Sequence, residues 1–287
     1  MFKFFANAFG YLLNGIYGLV NNYGIAIIIF TLIVKGIMLP ISIKQQKTMK
    51  KTAKIQKEAK EIQDKYKNDQ VRQSQELMEL YKRENMSPFS GCLSSIFQII
   101  LILSVFYLVS SPLTYMKKID SEVISNYTKQ IQEERGETVS YPEIAIIKEK
   151  GNVDEKVDIN MEFLGLDLSD VPSQNYEDWT VYVIPCLYVM TSLISMKLTT
   201  AMTSTNKAIE KDEKAADDKK EEKANDQEEM MDEMNKQMRF MMPIMTVSIA
   251  LIAPLGLALY WLVSNLLMIF ERVVLNRFFK EEEEVNG

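Results

Sequence analysis

The chain of 287 residues separates its apolar and charged residues into alternating blocks. Apolar residues make up 47% and charged residues 25%, and the formal net charge is −6. Because there is no histidine and only two cysteines, His-ligated metals, histidine-dependent nucleophiles and a disulfide framework are excluded. No Gly-rich phosphate-binding loop occurs either. We expect a polytopic membrane protein with large water-exposed segments, no metal or other cofactor, and no enzymatic activity.

Residues 1–23 carry two patterns that fall on different faces of a helix. Apolar side chains spaced by four and three positions are Phe5, Phe9, Leu12, Ile16 and Leu19. Asparagines recur every seven positions at Asn7, Asn14 and Asn21. The combination predicts an amphipathic helix that lies in the membrane interface. A secretory signal or an extra span is the alternative, although the segment has a single basic residue, Lys3.

The apolar blocks predict five membrane spans, at 24–43, 93–112, 179–197, 240–253 and 255–271. Each of the first three has about the 20 residues that a transmembrane helix needs. The uncharged stretch 240–270 would form a helix of about 46 Å, which is too long for one span. Pro254 and Gly256 interrupt this stretch near its middle, so we expect a tight pair of shorter helices there.

The polar blocks between the spans differ in charge, and this difference sets the orientation. Residues 44–60 contain seven lysines, which places the segment 44–90 in the cytoplasm. The seam Ile55, Ala59, Ile62 and Tyr66 predicts a helical hairpin within it. The acidic loop 113–178 is then outside, and the charged linker 198–239 and the tail 272–287 are inside. The prediction is an all-α integral membrane protein with five transmembrane helices, N-terminus out and C-terminus in.

Lys35 is the sharpest sign of a functional site, because it lies near the middle of the first span. A cation at that depth costs about 2.5–3.5 kcal/mol on insertion scales, so it should face protein or water. Thr31 and Ser42 share its helix face. Polar residues of other spans are Ser94, Ser95, Gln98, Tyr260, Trp261, Ser264 and Asn265.

Three polar helix faces can enclose a water-filled cavity within the membrane. The acidic residues fall in the loops and beyond residue 270. We therefore expect Lys35 to be unpaired and to face water or an incoming anion. The alternative is that the serine, glutamine and asparagine side chains only hydrogen-bond neighbouring helices.

Two further patterns suggest surfaces that receive a partner. Met231, Met234 and Met238 are spaced by three and four positions, and Met241 and Met245 continue the series. Methionine suits a surface that accepts varied apolar partners, although packing of an amphipathic helix is the alternative. On the hairpin we select Lys47, Lys50, Lys51 and Tyr66 as recruitment residues, which RNA or anionic headgroups would contact. The alternative is a solvated face that only sets the orientation.

Several segments match a known family in order and spacing over roughly residues 20–110 and 160–275. They are 23–40, 45–47, 66–69, 80–82, 88–98, 163–169, 242–243 and 256–265. On these segments the chain resembles the YidC/Oxa/Alb family of membrane protein insertases, and within it the Gram-positive bacterial type.

The resemblance implies a five-helix core with a cytoplasmic hairpin and a hydrophilic groove that is closed on the outside. The family's groove arginine matches Lys35, and Trp261, Asn265 and Gln98 would line or face the groove. The implied function is to move hydrophilic segments of nascent membrane proteins across the bacterial plasma membrane. The ribosome, the signal recognition particle or its receptor, and the Sec translocon are further partners that the resemblance suggests, together with membrane lipids, and a monomer would suffice.

This sequence also departs from the family pattern. The outside loop is longer than usual, and the tail ends in the acidic run Glu281–Glu284 rather than in a basic extension. Ribosome tethering by the tail is therefore not expected. Two other functions stay open: a passive assembly chaperone for proteins delivered by a translocon, and a transporter of small anions.

Overall fold

The computed structural model describes residues 2–67, 69–84, 90–213 and 244–286. Inside its helices the side chains left undescribed are those of residues 49–50, 52–54, 56–57, 60, 90–98, 199–213, 276 and 278–286. The described chain is almost entirely helical, with one two-stranded sheet. The predicted all-α class is therefore confirmed.

The elements follow one another in this order along the chain. The first helices are α1 (Phe2–Val20), α2 (Tyr23–Lys65), α3 (Gln70–Arg83), α4 (Ser90–Ser110), α5 (Pro112–Tyr115), α6 (Ser121–Arg135) and α7 (Pro142–Lys150). A hairpin of β1 (Glu162–Phe163) and β2 (Leu166–Asp167) and a 3-10 helix (Trp179–Tyr182) come next. The last helices are α8 (Val183–Glu213), α9 (244–252) and α10 (Leu255–Asn286).

Among the described residues, three helical stretches are long and apolar enough to cross a membrane. They are Tyr23–Thr48, Trp179–Leu198 and Leu255–Leu275. Ile99–Ser110 is a shorter apolar helix at the end of α4. These helices establish a multi-pass membrane protein, while the five-span topology stays a prediction.

The first span and the first hairpin helix form one continuous helix. α2 has 43 residues and passes through Pro40 without ending. Asn22 starts it, because the Asn22 side chain accepts a hydrogen bond from the N–H of Ile25. Beyond the apolar part, α2 packs against α3, with Ile55, Ala59 and Leu80 buried between them. The first helix of the hairpin is thus a direct continuation of the membrane helix.

The segment 113–178 is not the extended acidic loop that its charge suggested. Helices α5, α6 and α7 and the β hairpin fold over buried side chains that belong to the main core, among them Ile131, Ile146 and Leu168. Most of its charged side chains lie at the surface, where Arg135 pairs with Glu149 and Lys150 with Glu134, whereas Glu143 is buried. Short apolar runs are spread between these charges, so the net charge of the segment gave no indication that it has a buried core. We call residues 113–178 the outer unit.

The outer unit is joined to the start of α2. Tyr23 donates its N–H to Asn160 O at 2.9 Å, and the Asn22 side-chain amide donates to Glu162 O at 2.6 Å. A Cβ at Gly24 would come within 2.5 Å of the Phe163 ring, so glycine lets the β hairpin approach the helix.

The outer unit also holds the break between α9 and α10. α9 ends at residue 252 and α10 starts at Leu255, on either side of Pro254. The N–H groups of Leu255 and Gly256 donate to Asp170 O and Leu168 O at 2.8 and 2.9 Å. These bonds satisfy N–H groups that the first turn of a helix leaves free.

Helix α1 packs along α2 and α4. Its Gly10 lies against the backbone of α5, because a Cβ there would come within 1.8 Å of Tyr115 O. Phe9 meets Phe30 of α2 edge to face, with ring centroids 5.7 Å apart. The opposite face leaves large side chains exposed, namely Phe4, Tyr11 and Leu19. Of the predicted apolar stripe, Ile16 is buried but Leu19 is not, and the position of α1 in the membrane interface stays a prediction.

Candidate functional site

Helices α2 and α10 run side by side in the same direction and place their polar faces together. A Cβ at Gly256 would lie 3.6 Å from the Tyr23 ring, so the two helix starts are level. Lys35 lies twelve positions after Tyr23 and Glu271 fifteen after Gly256. At 1.5 Å per residue these positions are about 18 and 22 Å along the two helices. Lys35 and Glu271 are therefore at nearly the same depth.

Lys35 is not isolated from carboxylates, which corrects the expectation drawn from the sequence. The half-buried Lys35 side chain lies within electrostatic range of Glu271 and Arg272. The Ser42 hydroxyl donates a hydrogen bond to Glu271 Oε1. The predicted span 255–271 ended at Glu271, and only the alignment of α2 with α10 brings this carboxylate to the depth of Lys35.

Arg272 links the same cluster to α8. Its guanidinium donates to Ser195 O at 3.4 Å, and Ser195 is buried. The polar groups at this depth therefore come from α2, α8 and α10. We call Lys35, Ser42, Glu271 and Arg272 the charged cluster.

Thr31 has a local structural role. Its side chain is buried, and its hydroxyl donates to Ile27 O of its own helix at 2.6 Å. A hydroxyl satisfied in this way offers little to a ligand. Of the predicted polar face of α2, Lys35 and Ser42 are the residues that reach across to another helix.

The predicted polar residues of α10 lie on the sides of the helix that face α2 and α8. Trp261 packs against Tyr188 of α8, with ring centroids 5.5 Å apart. Ser264 Oγ is buried next to the Tyr260 hydroxyl without a hydrogen bond of normal geometry to the described residues. Asn265 is half-buried. Gln46 Oε1, one turn beyond Ser42 on α2, is also buried and unpaired within the described part.

Several predicted site residues are outside the described side chains. These are Gln98 with Ser94 and Ser95, Lys50, and Met231, Met234, Met238 and Met241. Met245 is described and is exposed on α9.

The remaining recruitment residues lie on the hairpin, and two of them make hydrogen bonds to other hairpin residues. Lys47 is exposed. Lys51 donates to Glu84 O, which ties α2 to the end of α3. The Tyr66 hydroxyl donates to Glu76 at 3.1 Å, and the Arg72 guanidinium lies 5.3 Å from the Tyr66 ring centroid. Lys51 thus stabilises the base of the hairpin, and Tyr66 stabilises its tip.

The described ranges contain no group of three or more Asp, Glu or Cys side chains placed to hold a metal ion. The arrangement that they do contain is two half-buried cations, Lys35 and Arg272, with one carboxylate, surrounded by hydroxyl and amide groups, inside apolar helices. Such a site can attract an anionic group and can hydrate the membrane interior locally.

Apolar spanning helices with a polar, charged inner face define a multi-pass helical membrane protein. The family model described as 60Kd inner membrane protein matches residues 15–283. The chain therefore belongs to that family, the YidC/Oxa family, and is a multi-pass protein of the bacterial plasma membrane.

Curated relatives agree over a shorter stretch. A protein of Wigglesworthia glossinidia brevipalpis named membrane protein insertase YidC is 42% identical over 99 residues, which are 34% of this chain and 18% of that protein. One of Francisella tularensis subsp. novicida with the same name is 37% identical over 109 residues, 38% of this chain and 20% of that protein. The match thus spans about a fifth of the length of these relatives.

Proposed function

We propose that this chain is a membrane protein insertase. It moves hydrophilic segments of nascent membrane proteins across the bilayer and releases their transmembrane helices into lipid. The observation that carries the proposal is the charged cluster, which sets a cation inside a span among polar side chains of three helices. Family membership and the printed names of the relatives support the same function.

The proposed topology has five spans, with α4 and α9 completing the set begun by α2, α8 and α10. The outer unit then lies outside and the hairpin inside, as the lysine distribution predicts. With this orientation the outer unit covers the outer ends of α2 and α10. A cavity between the spans would be closed outside and open toward the cytoplasm.

The proposed mechanism lowers the free-energy barrier to moving a hydrophilic segment across the membrane, and it uses neither nucleotide nor covalent chemistry. A hydrophilic tail must cross an apolar core of about 30 Å. A groove hydrated from the cytoplasmic side to the depth of Lys35 shortens the apolar distance. The buried oxygen of Gln46 supports such hydration, because it has no hydrogen-bond partner among the described residues and buried polar atoms of this kind are commonly satisfied by water.

Lys35 attracts acidic groups of the tail for a short time. Burial of the substrate helix in lipid, and the membrane potential of about 2.3 kcal/mol per charge per 100 mV, drive the step. Trp261 and Asn265 line the groove, Gln98 faces it, and the apolar sides of α8 and α10 guide the departing helix.

We propose nascent membrane proteins as the substrates and the hairpin as their receiving surface. The ribosome, the signal recognition particle or its receptor, and the Sec translocon are candidates for delivering them. Exposed Lys47 on the hairpin offers a contact for such a carrier. A monomer contains the whole proposed groove.

The test uses purified protein in liposomes with a short single-span substrate made in a cell-free system. The substrate carries an acidic tail, and protease protection of the tail measures insertion. We expect Lys35→Ala to lower protection about fivefold, which corresponds to a coupling of about 1 kcal/mol. Lys35→Arg should retain insertion, and Lys35→Glu should lose it for acidic tails.

Equal protection with Lys35→Arg and Lys35→Glu would contradict charge attraction. No protection with the wild-type protein would favour an assembly chaperone that acts after a translocon.

A further inference from the structure

We propose that Glu271 is a built-in competitor for the substrate's carboxylates, held beside Lys35 by Ser42, and that it sets how strongly the groove prefers acidic segments. This inference rests on the proposed insertase function and deepens it. The residues concerned belong to α2 and α10, and the hydrogen bond from Ser42 to Glu271 joins these helices directly.

The depth of Glu271 supports a competing role. Helix alignment from Tyr23 and Gly256 puts Glu271 about 4 Å further toward the cytoplasmic end than Lys35. Ser42, seven positions after Lys35, lies on the same face of α2 because seven residues are close to two helical turns. A carboxylate that enters from the cytoplasm therefore meets Glu271 before it meets Lys35.

Glu271 lies within electrostatic range of both Lys35 and Arg272. Arg272, the next residue, points its guanidinium to Ser195 O on α8. Ser42 holds the Glu271 carboxylate on the α2 side, where Lys35 lies. The cluster therefore carries one carboxylate near two cations, and an acidic substrate segment must displace or outweigh that carboxylate.

Glu271 affects the preference of the groove for acidic tails in two ways. Glu271 screens Lys35 when no substrate is present, which lowers the cost of a cation at that depth. It also repels each acidic group of an arriving tail. Removing its charge should raise the preference for acidic over neutral tails, although the cation itself is unchanged.

The experiment measures insertion of two substrates that differ only in tail charge, one acidic and one neutral, in the liposome assay. The readout is the ratio of protected acidic tail to protected neutral tail. We expect Glu271→Gln to raise this ratio about threefold, the effect of one partly hydrated charge pair. Glu271→Asp keeps the charge and should keep the wild-type ratio.

A matched control separates this effect from a change in net charge. Glu155→Gln removes an exposed carboxylate of the outer unit and should leave the ratio at the wild-type value. In a Lys35→Ala background, Glu271→Gln should raise the ratio by a smaller factor, because only the direct repulsion between Glu271 and the acidic tail remains to be removed. Ser42→Ala keeps every charge but frees Glu271 from α2, so it should raise the ratio by a smaller factor.

The outcomes distinguish the inference from the proposed function. If the wild-type protein inserts neither substrate, the insertase function fails and the inference falls with it. If Lys35→Ala lowers the ratio but Glu271→Gln and Ser42→Ala leave it unchanged, Glu271 does not compete and only the inference is overturned. Should Glu271→Gln fail to accumulate in the membrane, the direction of the Ser42→Ala effect decides.

Discussion

Single residues determine how closely the helices of this protein approach. Gly10 of α1 lies against the backbone of Tyr115, where a Cβ would come within 1.8 Å of the carbonyl oxygen. A backbone atom cannot move away as the end of a side chain can. The position therefore requires glycine, whereas Gly15 of the same helix has no atom within 4 Å of an added Cβ.

We predict that Gly10→Ala lowers the free energy of unfolding by about 1–3 kcal/mol, as expected for overpacking. Gly15→Ala is the matched control, and it should be neutral or raise stability by up to about 1 kcal/mol because alanine favours the helix. Thermal unfolding in detergent would measure both variants. Equal melting temperatures for the two variants would contradict the packing of α1 on α5.

The residues of the candidate site were predictable in part. Lys35 stands out in the sequence because a charge inside an apolar run is a local signal. Glu271 does not, since it is the last residue of the predicted span 255–271, where the apolar run ends. Its position beside Lys35 depends on the parallel alignment of two helices more than two hundred residues apart, which no local pattern contains.

At the scale of elements, a buried carboxylate joins two helices of the outer unit. Glu143 of α7 accepts hydrogen bonds from the Thr114 N–H at 2.9 Å and the Thr114 hydroxyl at 2.6 Å. Burial raises the pKa of Glu143 above its ordinary value, although these bonds act in the opposite direction. The joint between α5 and α7 is therefore sensitive to protonation.

The sign of the effect on stability follows from the raised pKa. A group whose pKa is higher in the folded state binds its proton more tightly there. Its contribution is fully present below the unfolded-state pKa of about 4.3 and is lost as the pH rises through the folded-state pKa. We predict that, on acidification from pH 7, wild-type protein gains stability relative to Glu143→Gln.

Thermal unfolding of both proteins across this pH range measures the difference. Glu137→Gln changes an exposed carboxylate of the same unit and should give a curve parallel to that of the wild type. A curve for Glu143→Gln that is also parallel would show that burial of Glu143 has no linkage to folding.

Elements differ in how far the sequence predicted them. The spans in α2, α8 and α10 follow from long apolar runs, which are strong local signals. The outer unit was predicted as a loop because its core comes from side chains far apart in sequence, such as Ile131 and Leu168. The continuity of α2 was also missed, since a change from apolar to basic residues does not end a helix.

For the molecule as a whole, the proposed groove opens to the cytoplasm only if the outer unit lies outside and the hairpin inside. We predict that Glu155→Cys reacts with a membrane-impermeant maleimide in intact cells, whereas Glu61→Cys reacts only after the membrane is opened. Both positions are exposed, and Cys92 and Cys186 are first replaced by serine. The opposite labelling would invert the proposed topology and place the groove opening outside.

The most direct test of the central claim, that a substrate tail occupies the groove beside α2 and α10, is site-specific photocrosslinking. A photoreactive aromatic residue replaces either Trp261 or Phe270 of α10. These positions are nine residues apart and so lie on opposite faces of the helix, and Phe270 is exposed. The partner is a stalled nascent chain with an acidic tail.

We expect crosslinks from position 261 to the hydrophilic tail, weakened by Lys35→Ala, and none to the tail from position 270. Equal crosslinking of the tail from both positions, or crosslinking from position 270 alone, would contradict a substrate path through the groove.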